Sequence, residues 1–387
     1  MHFDTRLVHA GSVPGDPHAP TSTPIYQTAT FAQEDALGGG RYDYTRSGNP
    51  TREVLERQLA ELEGGTHASA FASGMAALTA ITRLVRAGQR ILAGSDLYGG
   101  TFRLLTQVLP SLGIEADFVD TTDLGAVAAA LRPETALVLV ETPTNPLQRI
   151  VDLRAVARLV HEYGALLAVD NTFLSPVLQR PLELGADLVV YSATKHLAGH
   201  GDATAGAVIT RDERIAERVV FVQNAEGTAL APFESWLVLR GVQTLALRVS
   251  RAQHSARRIA RFLAQHPDVT RVHYAGLPSH AGHALHASQA DGPGTVVSFE
   301  TGSFERSRRL VDACRLFSIA VSFGGVRSQI SLPGKMSHAS IPAAVRADRA
   351  LPEDLVRVSV GIEDPRDLLA DLQHALRTSS ARVEVRS

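Results

Sequence analysis

Residues 165–200 decide the fold: they read ALLAVDNTFLSPVLQRPLELGADLVVYSATKHLAGH and hold two short apolar runs, 165–171 and 187–194. Similar runs occur on either side of them, namely RILAGS (90–95), ALVLVET (136–142) and AGAVIT (205–210). Amphipathic segments such as 152–163 separate the runs. Apolar strands that alternate with helices predict an α/β fold, in which helices cover both faces of a mostly parallel sheet.

The chain changes character twice along its length. Residues 1–48 form an arm rich in Thr, Pro, Gly and Tyr, and so long an irregular segment usually packs on something else, here a partner subunit. Residues 49–245 hold the apolar runs and are expected to form the large domain. Residues 246–387 offer shorter strands and two helices, 303–315 and 365–377, which predict a smaller α+β C-terminal domain.

A capped helix is expected directly after the arm. Asn49 can cap its first turn, Pro50 is well tolerated inside that turn, and Gly64 is a typical stop signal. The apolar residues between them recur on one side of a helix. The large domain is therefore expected to begin with this helix.

The composition limits the partners of the chain. Lys and Arg total 38 and Asp and Glu total 40, so neither nucleic acid nor a membrane surface is expected. Cys314 is the only cysteine, which fits a reducing compartment such as the cytoplasm. No apolar run approaches the roughly 18 residues of a membrane span, and the first residues lack a signal-peptide pattern. The histidines of 273–286 have no metal-ligand spacing, so no metal is expected.

Polar residues follow the ends of the predicted strands. They are Tyr98, Asn145, Asp170, Ser192, Thr194 and Lys195. The carboxyl ends of parallel strands lie at one edge of a sheet, and ligands bind outside that edge. These side chains are therefore expected to meet in one site.

Lys195 and Asp170 have the most informative chemistry in this group. Burial at a strand end lowers the pKa of a lysine, and the neutral amine is the form that makes a Schiff base. An aspartate in such a site can pair with the pyridine nitrogen of pyridoxal phosphate. The alternatives are a surface lysine on a loop and an aspartate that caps a turn, and neither residue decides between them alone.

Three further features would complete a site for that cofactor and an amino acid. Ser73, Gly74 and Met75 open a helical stretch whose N–H groups suit a phosphate, although Ser-Gly before a helix can be a simple cap. Tyr98 can stack on a flat ring, or it can be an ordinary core or surface residue. Arg357 lies in an apolar strand, where it can bind a substrate carboxylate or an internal one.

The chain resembles the pyridoxal-phosphate-dependent Cys/Met metabolism family, from TRLVHAG (5–11) to GIEDPRDLLADL (361–372). The matching motifs are YDYTRSGNPT (42–51), FASGMAAL (71–78), ETPTNP (141–146), VDNTF (169–173), YSATKHLAGH (191–200) and LRGVQTLALR (239–248). The stretches 221–241, 271–290 and 317–347 resemble the plant-type β-lyase branch of the family. The resemblance implies the fold of type I pyridoxal-phosphate-dependent transferases.

The resemblance also implies how the cofactor is held. Lys195 would bind its aldehyde and, with Tyr98, act in catalysis, while Tyr98 also stacks on the ring. Asp170 would pair with the ring nitrogen. The phosphate would be held by Gly74, Met75, Ser192 and Thr194, next to Ser73. Tyr44 and Arg46 would reach the phosphate in a neighbouring subunit. A homo-oligomer is therefore expected, which is at least a dimer, and a tetramer is the expected state.

The substrate expected from the resemblance is a sulfur-containing amino acid. Asn145, Ser328 and Arg357 would bind it, with Arg357 on its α-carboxylate. The expected reaction is α,β-elimination of cystathionine to homocysteine, pyruvate and ammonia. The alternatives are cystathionine γ-lyase, γ-synthase or methionine γ-lyase chemistry, which uses the same groups and a second proton transfer at Cβ.

Two rival classes and two departures from the family pattern bear on this expectation. An aminotransferase is disfavoured by the arm motif YTRSGNPT, and a non-catalytic protein by the full set of catalytic residue types. Arg327 stands where γ-enzymes of the family often carry glutamate, which favours β-chemistry. His196 replaces the aromatic residue that usually follows the lysine and is expected to affect local packing only.

Overall fold

The computed structural model of the protein describes residues 1–9, 16, 18–336 and 351–380. Its helices are α1 (Phe3–Val8), α2 (Pro50–Glu63), α3 (Gly74–Thr82), α4 (Gly99–Arg103), α5 (Leu124–Ala130), α6 (Leu153–Glu162), α7 (Ser175–Leu178), α8 (Glu213–Ala225), α9 (Pro232–Val242), α10 (Leu245–Ala264), α11 (His283–Gln289), α12 (Phe304–Ala313) and α13 (Pro365–Ser380). Its strands are β1 (His67–Phe71), β2 (Arg90–Gly94), β3 (Glu115–Val119), β4 (Thr135–Glu141), β5 (Leu166–Asp170), β6 (Leu188–Tyr191), β7 (Gly206–Thr210), β8 (Arg271–His273), β9 (Val296–Glu300), β10 (Ser318–Ile319), β11 (Gln329–Ser331) and β12 (Val356–Ser359). The stretches 5–11 and 317–347, which carry part of the family resemblance, lie partly outside the described residues.

A seven-stranded sheet holds strands β1 to β7 in the order β1-β7-β6-β5-β4-β2-β3. The strands from β6 to β3 pair in parallel, and β7 runs antiparallel to both of its neighbours. The prediction of a mostly parallel sheet is therefore confirmed. Strands β1 and β3 are not among the predicted apolar runs. Strand β3 lies at the edge of the sheet with half-buried and exposed side chains, so it lacks a continuous apolar run.

Two apolar cores cover the two faces of this sheet. Successive residues of one strand enter opposite cores: Leu167 and Val169 of β5 pack in one, and Ala168 packs in the other. Helices α2 and α6 contribute to the first core, and α3 contributes to the second. Burial on both faces explains why the central strands β4, β5, β6 and β7 are mostly apolar and do not alternate with polar residues.

Helix α2 has the caps that the sequence predicts. The Asn49 side chain accepts the N–H of Thr51, Pro50 is the first helical residue, and Gly64 takes a left-handed backbone with φ +74°. The position of α2 is therefore set by local sequence at both ends. It packs on the sheet and contacts α9 and β1.

A second sheet forms the C-terminal part of the fold. Its order is β10-β11-β12-β9-β8, and apolar residues of α10, α12 and α13 pack on it. Helix α10 enters two cores, because Val249 packs with the large sheet and Ile259 packs with the small one. The predicted division of the chain at residues 245 and 246 falls at the start of this shared helix and stays a prediction.

The first residues differ from the expectation of an arm without regular structure. Helix α1 packs its buried Leu7 on the chain's own core, and Gln58 of α2 donates a hydrogen bond to the Leu7 carbonyl at 2.6 Å. The buried Leu7, this hydrogen bond and a second one from Arg6 to the Glu61 carbonyl dock the short helix on α2. Among the described residues no helix is both long and apolar enough to cross a bilayer.

Candidate active site

A cavity of about 430 Å³ opens at the carboxyl edge of the large sheet. Ten residues singled out in the sequence line it: Ser73, Gly74, Met75, Tyr98, Asn145, Asp170, Ser192, Thr194, Lys195 and Arg357. They come from the ends of four strands, the start of α3 and the small sheet. The fold thus brings together residues that lie up to 284 positions apart in the chain.

Lys195 lies in a tight turn after β6, where its N–H donates to the Ser192 carbonyl at 3.1 Å. Its Nζ donates to Ser322 Oγ at 2.5 Å. Burial, helped by the charge of Arg357, lowers the pKa of Lys195 to about 8. Roughly a tenth of the amine is then neutral at pH 7, against well under a thousandth for an ordinary lysine. This amine is suited to attack a carbonyl carbon.

Ser322 is a site residue that the sequence analysis missed. Its backbone has φ +98°, in the left-handed region that residues with a side chain rarely adopt. Its carbonyl accepts Nη2 of Arg357 at 3.1 Å, while its hydroxyl accepts Lys195 Nζ. Ser322 therefore contacts two of the cations that line the cavity, Lys195 and Arg357. Phe323 follows it, and its ring centroid is 5.4 Å from Lys195 Nζ.

Asp170 is the last residue of β5. Its Oδ1 accepts the N–H of Thr172 at 3.0 Å, and the Thr172 hydroxyl accepts the N–H of Ser192 at 2.8 Å. Burial raises the pKa of Asp170 above its ordinary value, although the hydrogen bonds from Thr172 offset part of this rise. A cationic ring nitrogen beside this carboxyl would favour its ionised form. Thr172 is a second residue missed, although its position in VDNTF two residues after the acid was visible.

The start of α3 and the loop after β6 meet at the cavity wall and form a cradle of N–H groups and hydroxyls. Ser73 Oγ caps α3 by accepting the N–H of Ala76 at 3.0 Å. A Cβ at Gly74 would lie 2.8 Å from Ser192 Cβ, so only glycine lets the helix begin this close to the serine. Thr194 Oγ1 accepts the N–H of Ala205 at 3.0 Å and also lines the cavity. Helix N–H groups next to hydroxyls suit a phosphate.

Tyr98 precedes α4 and is partly exposed at the cavity wall. Its N–H donates to Glu141 Oε1 at 2.9 Å, which ties the tyrosine to the end of β4. A Cβ at Gly100 would lie 2.5 Å from the Tyr98 ring and 2.8 Å from Met75 Sδ. The glycine therefore leaves room for the ring across the first turn of α4. Glu141 is a third residue that the sequence analysis did not name.

Arg357 is a buried cation in β12, with only 2% of its surface exposed. Its Nη1 donates to Asn145 Oδ1 at 2.9 Å, and its Nε has no partner among the described residues. Burial lowers the pKa of Arg357 to about 10. No ion pair within residues 1–9, 18–336 and 351–380 joins it to an acid. A guanidinium in this state is ready for an incoming carboxylate.

Three predicted site residues lie away from this cavity. Ser328 is fully buried, its hydroxyl donates to Glu363 Oε2 at 2.8 Å and its N–H donates to Oε1 at 2.6 Å. Glu363 thus holds both groups of Ser328, and Ser328 is not among the residues that line the cavity. Tyr44 and Arg46 lie together in a separate surface depression, where Arg46 donates to Asn224 Oδ1 at 2.7 Å. Their contact with a neighbouring subunit stays a prediction.

The two departures from the family pattern lie outside the cavity wall. His196 is buried, with its ring centroid 5.7 Å from that of Phe323, and its carbonyl accepts Nη1 of Arg248 at 2.9 Å. Burial and the nearby charge of Arg248 lower the pKa of His196 to about 3, so it is neutral. Arg327 is exposed. The effect of either residue on specificity stays a prediction.

The donor set fits pyridoxal phosphate. Asp170 would hold the ring nitrogen, Lys195 would take the aldehyde carbon, and Gly74 and Ser192 belong to the cradle for the phosphate. The space at Gly74 supports this fit, because any side chain there would separate the helix start from Ser192. Fold and site together define a pyridoxal-phosphate-dependent enzyme of fold type I.

The chain belongs to the family of Cys/Met metabolism PLP-dependent enzymes, whose sequence profile matches residues 4–377. It is 56% identical over 363 residues to the chloroplastic cystathionine beta-lyase of Arabidopsis thaliana, which covers 94% of this chain and 78% of that protein. The cystathionine gamma-lyase of Bacillus subtilis is 45% identical, with 97% and 99% covered. A crystal structure of cystathionine gamma-lyase from Lactobacillus plantarum, complexed with L-serine, is 41% identical with a TM-score of 0.96, and 99% of this chain and 100% of that chain are covered. The predicted family, fold class and cofactor are confirmed.

Proposed function

We propose that this chain is a cystathionine β-lyase: with pyridoxal phosphate it eliminates homocysteine from cystathionine and leaves pyruvate and ammonia. The observation that carries the proposal is the shared contact on Ser322. Lys195 Nζ lies 2.5 Å from its hydroxyl, and Arg357 Nη2 lies 3.1 Å from its carbonyl. The carboxylate and the Cα of an amino acid are one bond apart. A carboxylate bound by Arg357 would therefore leave Cα within reach of Lys195.

The residues of the chain divide the work of this reaction. Pyridoxal phosphate, when bound, supplies an aldehyde for the substrate amine and a ring that accepts the electron pair left on Cα. Arg357 and Asn145 bind and orient the α-carboxylate. Lys195 removes the Cα proton, and Tyr98, which lines the same cavity, assists it. The Cβ–S bond then breaks, the thiol leaves as homocysteine, and water converts the three-carbon remainder to pyruvate and ammonia.

Relatives with γ-chemistry supply the second candidate function. The Bacillus subtilis cystathionine gamma-lyase covers nearly the whole chain, and γ-elimination uses the same lysine and arginine. The higher identity to the Arabidopsis thaliana cystathionine beta-lyase favours β-elimination. Arg327, in the place of a glutamate common in the γ-enzymes, supports the same choice.

Purified enzyme incubated with cystathionine should release pyruvate and homocysteine. The two reactions cleave different C–S bonds, so the products identify the bond: β-elimination gives pyruvate with homocysteine, and γ-elimination gives 2-oxobutyrate with cysteine. Keto acids are measured with pyruvate-specific and broad lactate dehydrogenases, and thiols by chromatography. Predominant 2-oxobutyrate with cysteine would overturn the proposal in favour of the γ-lyase. Methionine and an activated homoserine ester complete the substrate panel.

The cofactor-free enzyme should capture pyridoxal phosphate at a rate that rises with pH through about 8 and then levels off. The reason is that only the neutral amine attacks, and burial with Arg357 lowers the pKa of Lys195 to about 8. The rate is followed by the absorbance of the bound aldehyde. Lys335→Ala removes the only other lysine of the chain and should give the same profile. A rate that keeps rising towards pH 10 would contradict the lowered pKa.

We also propose that the enzyme works as a homo-oligomer in the cytoplasm, at least a dimer and, by pairing of dimers, a tetramer. Tyr44 is partly exposed and lies with Arg46 outside the chain's own cavity. This position supports a role at the phosphate of a neighbouring subunit. The single free Cys314 supports a reducing compartment.

A further inference from the structure

A buried chain of hydrogen bonds lies beneath the cavity. The Tyr191 hydroxyl donates to the Glu63 carboxyl, and Asn171 Nδ2 donates to the Tyr191 oxygen at 2.6 Å. Gln179 Nε2 donates to the Thr142 carbonyl at 3.0 Å and to Asn171 Oδ1 at 3.2 Å. All five residues are at most 2% exposed. A polar network this deep in a core is costly, and here Glu63 Oε1 and Gln179 Oε1 have no hydrogen-bond partner among the described residues, so the presence of the network calls for a reason.

The network joins the carboxyl ends of three adjacent strands. Thr142 follows β4, Asn171 follows β5, and Tyr191 ends β6. All three residues are direct neighbours of cavity residues, since Thr142 follows Glu141, Asn171 follows Asp170 and Tyr191 precedes Ser192. Successive residues of an extended chain point to opposite sides. Each strand end therefore presents one residue to the cavity and an adjacent one to the network.

Glu63 connects this layer to a separate element, because it is the last residue of α2. It is fully buried, and burial raises its pKa to about 8. The carboxyl is therefore mostly protonated near neutral pH and needs no cation. Burial and Glu63 together raise the pKa of Tyr191 well above its ordinary value, so Tyr191 remains a hydroxyl. The pair forms a neutral bridge from α2 to the end of β6.

We infer that Glu63 and Tyr191 are positioning residues that fix Asp170 and Ser192, and with them the two ends of the cofactor site. This inference rests on the proposed function. Neither residue lines the cavity. They act through the backbone: Tyr191 is bonded to Ser192, and its hydroxyl holds the side chain of Asn171, which is bonded to Asp170. Thr172 joins the same two ends on the cavity side, through Asp170 Oδ1 and the N–H of Ser192.

The decisive test is a double variant, Glu63→Met with Tyr191→Phe. It replaces both polar groups by apolar ones of similar shape, so neither side of the Glu63–Tyr191 contact is left charged or unpaired. Asn171 Nδ2 loses the Tyr191 oxygen but keeps its second acceptor, the Gln179 carbonyl at 2.7 Å. The cofactor-free variant should unfold thermally close to the wild type. Its dissociation constant for pyridoxal phosphate should rise, and its kcat/KM for cystathionine should fall, each on the order of 10-fold. The pH titration of cofactor absorbance should also shift, because the distance between the ring nitrogen of the cofactor and Asp170 changes.

Two single variants and a control complete the design. Glu63→Gln keeps a hydrogen-bond acceptor for Tyr191 and should bind the cofactor with an affinity near that of the wild type. Tyr191→Phe alone should weaken cofactor binding as much as the double variant does. Glu61→Gln changes an exposed acid on the same helix and should change nothing. A double variant that binds the cofactor as tightly as wild type, with an unchanged absorbance titration, would overturn the inference even if its thermal stability fell. A wild type that neither binds the cofactor nor cleaves cystathionine would instead refute the proposed function.

Discussion

Replacing Lys195 with alanine should lower kcat for cystathionine cleavage by about 10³- to 10⁴-fold. The amine has two tasks in the proposed reaction: it binds the cofactor aldehyde, and it moves the Cα proton. No other lysine side chain is placed to replace this amine, because the chain has only one other lysine, the exposed Lys335. Pyruvate release from cystathionine measures the loss. The removed group is a desolvated amine, so we expect the variant to fold normally.

The scarcity of lysine provides a matched control. Lys335→Ala should keep wild-type activity, and borohydride treatment should then leave a reduced pyridoxyl group on the peptide that contains Lys195. The same treatment of Lys195→Ala should leave no lysine adduct. Retention of more than about a tenth of kcat by Lys195→Ala would exclude the lysine as the base. Thermal unfolding of all three proteins shows whether the substitutions changed the fold.

Most of the cavity follows from where apolar runs end. Asp170, Ser192 and Lys195 stand at the ends of β5 and β6, and parallel strands deliver their carboxyl ends to one edge. A sequence reader can therefore predict their proximity without coordinates. Helix α2 is predictable for a similar reason, because its signals at Asn49 and Gly64 are local.

Apart from Thr172, the parts of the site that the sequence did not reveal depend on contacts that are distant in sequence. Ser322 reaches the cavity because its backbone is left-handed. The residue is a serine and not a glycine, so its type does not predict this backbone conformation. Ser328, six residues later, has the expected chemistry, but Glu363 binds its hydroxyl and N–H away from the wall. The Glu63–Tyr191 contact spans 128 positions. Tertiary packing decides all three, and residue type alone does not reveal it.

Replacing Arg357 with leucine should lower kcat/KM for cystathionine by about 10²- to 10³-fold, mainly through KM. The guanidinium is buried, its Nε has no partner among the described residues, and Asn145 supplies only a neutral oxygen. Our proposed function assigns the substrate carboxylate as its counter-ion. Arg357→Lys should recover little, because one ammonium group cannot form the paired hydrogen bonds of a guanidinium. Initial rates over a range of cystathionine concentrations separate KM from kcat.

A substrate analogue with an amide in place of the α-carboxylate tests this role directly. The wild type should strongly prefer the acid to the amide, and Arg357→Leu should lose most of that preference. Unchanged discrimination in the variant would exclude Arg357 as the carboxylate ligand. The same substitution removes a positive charge that lowers the pKa of Lys195. The pH at which cofactor capture levels off should therefore move upward from about 8, and capture at pH 7 should slow, since less of the amine is neutral there.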